Sequence, residues 1–118
     1  MPRVVLIGFP GVQTLDLAGP AEVFAAAKRR GVDYRIEIVS IGGGRHTTSS
    51  TLQIETRDLR KLRPRRDDTV LVAGGDETAI RGAVMDRALL AWLRRAARVA
   101  RRIASVCSGA FILAAAGI

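Results

Sequence analysis

The chain has 118 residues, 48% of them hydrophobic, which suffices for one core and leaves no room for a second domain, so residues 1–118 are read as a single domain. No apolar run approaches the roughly 18 residues needed to cross a bilayer, and the N-terminus lacks the charged, apolar, then small layout of a signal peptide; the expectation is a soluble, cytoplasmic protein with no membrane partner. A single cysteine excludes an internal disulfide, and a net charge of +8, from 17 Arg and 2 Lys against 11 acids, raises the question of nucleic acid.

Val4 to Phe9 reads as an unbroken apolar strand. Gly19-Pro20 reads as the opening of a helix through Arg30, with Pro20 at its first position, Gly31 at its stop, and Val23, Phe24 and Ala27 as its buried stripe. Tyr34 to Ile41 is a second strand, broken by Gly42-Gly43-Gly44. Thr47 to Thr56, rich in Thr and β-branched residues around Ser-Ser, predicts a short hairpin or edge-strand excursion. Leu59 to Leu62 forms one helical turn, Arg63-Pro-Arg-Arg a basic turn, and Asp68 to Ala73 a third core strand ending in Gly74-Gly75-Asp76-Glu77.

Asp86 to Arg101 predicts an amphipathic helix, with Leu89, Leu93, Ala97 and Ala100 inward and Arg87, Arg94, Arg98 and Arg101 on the solvated side. That arrangement, with only three Phe, one Tyr and one Trp to stack on bases, favours a solvated Arg-rich surface over a nucleic-acid groove. Ile103 to Val106 is the last strand, and from Ser108 to Ala116 the chain reads as an Ala/Leu-rich helix.

Apolar strands alternating with helices predict an α/β fold with a mostly parallel sheet, covered on both faces through right-handed crossovers. Sites in such sheets lie at the carboxyl ends of the strands, where Pro10 to Gly19, Gly74 to Thr78 and Cys107 converge. Ser105 and Gly109 flank Cys107 with the spacing of a nucleophile elbow, sulfur replacing the usual serine oxygen. The unpaired N–H groups and dipole of the following helix favour a thiolate. Asp16 can hydrogen-bond or exchange a proton with that thiol, and the backbone N–H groups of Gly75 and Ser108 can face an oxyanion or a bound carbonyl.

Each feature has a plainer reading beside it: Cys107 as a small hydrophobe, Asp16 as an acid complementing a helix dipole, Gly74-Gly75 as a turn, and Glu22 and Glu77 as solvated helix and loop acids. His46, the only histidine, lies far in topology from Cys107, so no Cys-His dyad is assigned. No metal-ligand set and no cofactor motif is read.

Phe9-Pro-Gly-Val-Gln-Thr-Leu-Asp-Leu-Ala-Gly-Pro-Ala-Glu-Val-Phe, the Val-Ala-Gly-Gly loop and Ser105-Val-Cys-Ser-Gly-Ala-Phe together resemble the ThiJ/PfpI superfamily, of class I glutamine amidotransferase-like fold. The run from Leu90 to Gly117 looks most like the N-terminal domain of AraC-family transcriptional regulators of the GlxA kind, and next most like isonitrile hydratases. The resemblance implies a flavodoxin-like, doubly wound sheet with Cys107 as elbow nucleophile or redox-sensitive thiol, Asp16 as its acidic neighbour, and Gly74, Gly75 and Ser108 lining a ligand pocket. For a regulator it implies a domain that senses a small molecule, forms a homodimer and governs a downstream helix-turn-helix domain that binds DNA. For a hydratase it implies that Cys107 and Asp16 attack the isonitrile carbon and manage protons. Two positions depart from the pattern: Ser108 stands where Thr is common, and Asp76-Glu77 follows the double glycine where hydratases carry Gly-Gly-Pro. Family members continue past the elbow helix and usually carry a Thr-Thr-His segment there, so the chain is expected to be the N-terminal part of a longer protein, apparently truncated on its C-terminal side, with one side of its sheet poorly covered.

Overall fold

The computed structural model describes residues 1–118 as β1 (Arg3–Ile7), α1 (Thr14–Arg29), β2 (Arg35–Ser40), β3 (Gly44–Thr47), β4 (Gln53–Asp58), a 3-10 turn (Leu59–Lys61), β5 (Asp68–Val72), α2 (Glu77–Val84), α3 (Arg87–Val99), β6 (Arg102–Ser105) and α4 (Gly109–Ala116). The strands form one sheet in the order β3-β4-β2-β1-β5-β6, and every neighbouring pair is parallel except β3 with β4. β1 pairs on both edges and is buried throughout, which explains its uninterrupted apolar run. α1 lies on β1 and β2, whereas α2, α3 and α4 pack together over β5 and β6. Right-handed crossovers put these two groups on opposite faces, because the chain steps from β1 to β2 one way and from β5 to β6 the other. The result is the doubly wound, flavodoxin-like α/β fold expected. Its core joins Val4 to Ile7, Val70 and Val72 to Leu89, Trp92, Leu93 and Ile112, with the Trp92 indole N–H donating to the Leu62 carbonyl at 2.8 Å.

Four local expectations change. α1 begins at Thr14, so Pro20 lies inside it rather than at its start; the proline lacks only the N–H that would reach the Asp16 carbonyl, and the burial of Asp16 and Leu17 holds the turns before it. Val23 is 66% exposed, while Phe24 is half-buried edge-on to Tyr34, ring centroids 5.0 Å apart. α2 has no counterpart in the sequence reading: eight residues are too few to display a helical period, yet the Asp76 carboxylate caps it by accepting the Ala79 N–H at 2.9 Å. Glu77, read as a loop acid, opens that helix and pairs with Arg81 at 2.6 Å. On α3 the buried face is Leu89, Leu90, Trp92, Leu93 and Ala96, and Ala97 is exposed, because docking Trp92 against Leu62 rotates the stripe.

The amino-terminal ends of β1 and β5 are joined by a buried ion pair. Arg3 Nε donates to Asp68 Oδ1 at 2.9 Å and Nη2 to Oδ2 at 2.8 Å. The same Nη2 donates to the Arg63 carbonyl, and the Arg65 N–H donates to Asp68 Oδ2, both at 2.8 Å. Asp68 is fully buried and Arg3 5% exposed, so desolvation is offset only while these bonds are complete. Asp68→Asn is expected to lower stability by about 3–5 kcal/mol in urea unfolding, whereas the double change Arg3→Met with Asp68→Leu recovers most of the loss.

Asp58 closes the turn after β4, accepting N–H groups from Gly42 at 2.9 Å and Arg60 at 3.0 Å. The Arg60 guanidinium beside it holds its carboxyl at about 2, below the usual 3.8. The stabilisation is complete above the unfolded value near 3.8 and lost as pH falls through about 2. A carboxyl carbon NMR titration is expected to show that low midpoint, and Arg60→Gln to move it upward.

Candidate functional site

Because β1, β5 and β6 are parallel neighbours, their carboxyl ends face the same way. The loop after β1 is pinned there by an isolated bridge between Val12 and Gly75 and by the Gln13 N–H donating to the Gly74 carbonyl at 2.8 Å. The β3–β4 hairpin holds its other side, through Gly11 N–H to the Thr47 carbonyl at 3.0 Å and Ser49 N–H to the Val12 carbonyl at 2.9 Å. The first turn of α1 thereby delivers Asp16, 7% exposed, to the glycine loop, where its Oδ2 accepts the Gly74 N–H at 3.0 Å.

The chain at Cys107 makes an abrupt turn. Val106 N–H still bonds to the Val72 carbonyl at 2.9 Å, Cys107 takes φ 52°, and Gly109 N–H returns to the Val106 carbonyl at 3.0 Å to start α4. A Cβ on Gly109 would collide with the carbonyl oxygens of Val72 and Ala73, so only glycine lets α4 begin so close to β5. The Cys107 side chain is free and exposed, which separates it from an inert core cysteine. The N–H groups of Cys107 and Ser108 find no acceptor within the chain.

Gly74 is where the three loops meet. A Cβ there would lie 2.8 Å from Asp16 Oδ2, 2.8 Å from Ser108 Oγ and 2.9 Å from the Ser108 nitrogen. Ser108 Oγ accepts the Gly75 N–H at 3.1 Å and donates to the Gly75 carbonyl at 2.8 Å. Of the two N–H groups expected to face a bound oxyanion, that of Ser108 is open, while that of Gly75 is taken by the serine hydroxyl folding back on the loop. His46 lies on β3, at the opposite edge of the sheet from β6, with Nε2 2.8 Å from Ser40 Oγ. No group of three or more His, Cys, Asp or Glu is placed to hold a metal ion.

A hollow of about 300 Å³ opens beside Ser108, lined by Gly75, Glu77, Ile80, Arg81 and Phe111. A larger one, about 490 Å³, lies between Phe9–Gly11 and α2, and neither hollow is lined by Cys107 or Asp16. The smaller hollow is the candidate site, since Ser108, whose N–H is open, lines it beside the Cys107 turn. Arg81 and Phe111 are additions to the sequence reading. Phe111 was signalled only by its place one turn after Cys107, and Arg81 could not be read without α2. Chemically, an exposed sulfur beside two open N–H donors can add to an electrophilic carbon while those donors hold the developing negative charge. Gly74→Ala is expected to force Asp16 and Ser108 apart and lower stability by about 1–3 kcal/mol, read as a drop in thermal midpoint.

The model of the DJ-1/PfpI family matches residues 2–118. Among curated relatives, the uncharacterized protein in the cpoL 5′ region of Streptomyces lividans is 44% identical over 116 residues, covering 98% of this chain and 80% of that protein. Isonitrile hydratase of Pseudomonas putida is 33% identical over 110 residues, covering 93% of this chain but 45% of the enzyme. Among solved structures, a ThiJ/PfpI family protein from Pseudomonas syringae superposes with a TM-score of 0.86 at 29% identity, covering 98% of this chain and 46% of that one. An AraC family transcriptional regulator from Pseudomonas putida superposes with a TM-score of 0.77 at 20% identity, over 99% of this chain and 62% of that one, a likeness of fold alone. The chain thus spans most of the Streptomyces protein and about half of the hydratase. With the family match running along residues 2–118 of an α/β sheet that carries a cysteine at its strand-to-helix turn, the chain belongs to the DJ-1/PfpI family.

Proposed function

We propose that this chain is the small-molecule-sensing part of a transcriptional regulator, a cytoplasmic homodimer in which the Cys107 rim receives a metabolite and a DNA-binding domain elsewhere in the polypeptide responds. The observation that carries the reading is the exposed Cys107 sulfur on its left-handed turn, next to open N–H groups and far from the one histidine. Such a site can capture a carbonyl or another electrophilic carbon and hold it as a thiol adduct. The likeness of fold to an AraC family regulator supports the same reading.

A second reading is a cysteine-dependent isonitrile hydratase, favoured by the 33% identity to the Pseudomonas putida enzyme and by the Asp16 carboxylate at the rim. In it the Cys107 thiol adds across the isonitrile carbon to give a thioimidate, water then adds to that carbon and the C–S bond breaks to release the N-substituted formamide and the free thiol, with Asp16 managing the protons.

One experiment separates them. The full-length polypeptide is incubated with isonitriles and 2-oxoaldehydes, following both protein mass and product, with Cys107→Ala as control. Sensing predicts at most one adduct per chain and no accumulating product; turnover that disappears in Cys107→Ala selects the hydratase. Iodoacetamide is also expected to label Cys107 stoichiometrically in the folded chain, since the thiol is free and exposed. A thiol that stays unlabelled until the chain is unfolded overturns the accessible-nucleophile part of both readings.

A further inference from the structure

The arginines that look scattered along the sequence are gathered by the fold at the end of the sheet away from Cys107. Arg63, Arg65 and Arg66 lie in the turn before β5 and are exposed. This turn is fastened to the buried pair, through the Arg63 carbonyl to Arg3 and the Arg65 N–H to Asp68. Arg101 joins the same point, its N–H donating to the Asp68 carbonyl at 3.0 Å, and Arg102 sits one rung along, opposite Thr69. α3, held to Leu62 by Trp92, ends beside them and adds exposed Arg94, Arg95 and Arg98.

None of these eight arginines makes an ion pair, whereas elsewhere Arg35 and Arg57 share Glu37, and Arg45, Arg60 and Arg81 pair with Glu55, Asp58 and Glu77. The reason lies in the sequence: residues 87 to 118 contain no Asp or Glu. The nearby acids are occupied, Asp67 by the N-terminal amine at 3.5 Å and Asp68 by Arg3. Within residues 1–118 the cationic face is therefore uncompensated, and it runs from the turn before β5 past Arg101 and Arg102 onto the C-terminal half of α3, where Arg94 to Arg98 span about 6 Å of helix axis.

We propose that this face binds the phosphate backbone of double-stranded nucleic acid without reading its sequence. The charges are spread along a helix and a neighbouring turn rather than converging on one point, which suits a row of phosphates better than a single small anion. The planar guanidinium fork matches phosphate oxygens. No exposed aromatic side chain stands among the arginines, so neither base stacking nor an aromatic anchor in a lipid interface is provided. The face lies at the amino-terminal end of the strands and the Cys107 rim at the carboxyl end, so a duplex and a small ligand can be held together. The proposal goes beyond the sensing reading and does not need Cys107: a chain with an inert thiol can still bind duplex, and a reactive thiol can sit on a chain that does not.

The test is fluorescence anisotropy of a labelled 30-bp mixed-sequence DNA duplex against the chain over a range of NaCl concentrations. The expected result is binding that weakens linearly in log–log form, with a slope near 0.9 per phosphate contacted. The quadruple change Arg66→Gln, Arg95→Gln, Arg98→Gln and Arg101→Gln should reduce that slope by about 3.6 and weaken binding at least tenfold at 100 mM salt. A charge-matched control, Lys28→Gln, Arg29→Gln, Arg30→Gln and Arg45→Gln, should leave the slope nearly unchanged. Thermal melts by circular dichroism verify that both variants fold. Absence of duplex binding, an equal loss in the control, or equally tight and equally Arg-dependent binding to phosphatidylserine vesicles or poly-glutamate would each overturn the proposal.

Discussion

The closeness with which α4 starts against the end of β5 governs the candidate site. That approach is permitted by the missing side chain at Gly109, whose Cβ would strike the Val72 and Ala73 carbonyls. Once the helix is seated there, the Ser108 nitrogen and hydroxyl come up to Gly74, and the hydroxyl locks onto both backbone groups of Gly75. Asp16 reaches the same glycine from the other side. Two bare Cα atoms, at Gly74 and Gly109, thus let three separate segments share a volume that one methyl group would fill.

Much of this was legible in the sequence. The small residues two positions either side of Cys107, and the apolar strand running into an Ala-rich helix, specify the turn because each reflects a steric limit. The parallel sheet was legible for a similar reason: Val4 to Ile7 has no polar face, as a strand covered on both sides requires. What escaped depended on long-range partners. Pro20 resembles a helix start locally, and only the burial of Asp16 and Leu17 extends α1 back to Thr14. α2 is anchored by one capping carboxylate and is too short to announce itself. The Arg3–Asp68 pair appears in sequence only as a charge at the head of each of two apolar strands, 65 residues apart.

The two ends of the sheet divide the polar chemistry between them. At the amino-terminal end, charge is either locked in a buried, fully bonded pair or left to solvent on arginines. Around Cys107 at the carboxyl end, backbone dipoles dominate: open N–H groups, a folded-back hydroxyl, and the Asp16 and Asp76 carboxylates each accepting a backbone N–H. A parallel arrangement makes that division natural, since every strand brings its incoming turn to one end and its outgoing loop to the other.

Cys107 stands at φ 52°, the one non-glycine residue of the chain with a positive φ. An L-residue with a Cβ in that region costs about 1 kcal/mol relative to glycine. Glycine at this position would relieve that strain, and removing an exposed side chain would leave no buried cavity behind. The stability of this turn and the presence of its sulfur therefore pull in opposite directions, a conflict confined to one residue because the other positive-φ positions are all glycine.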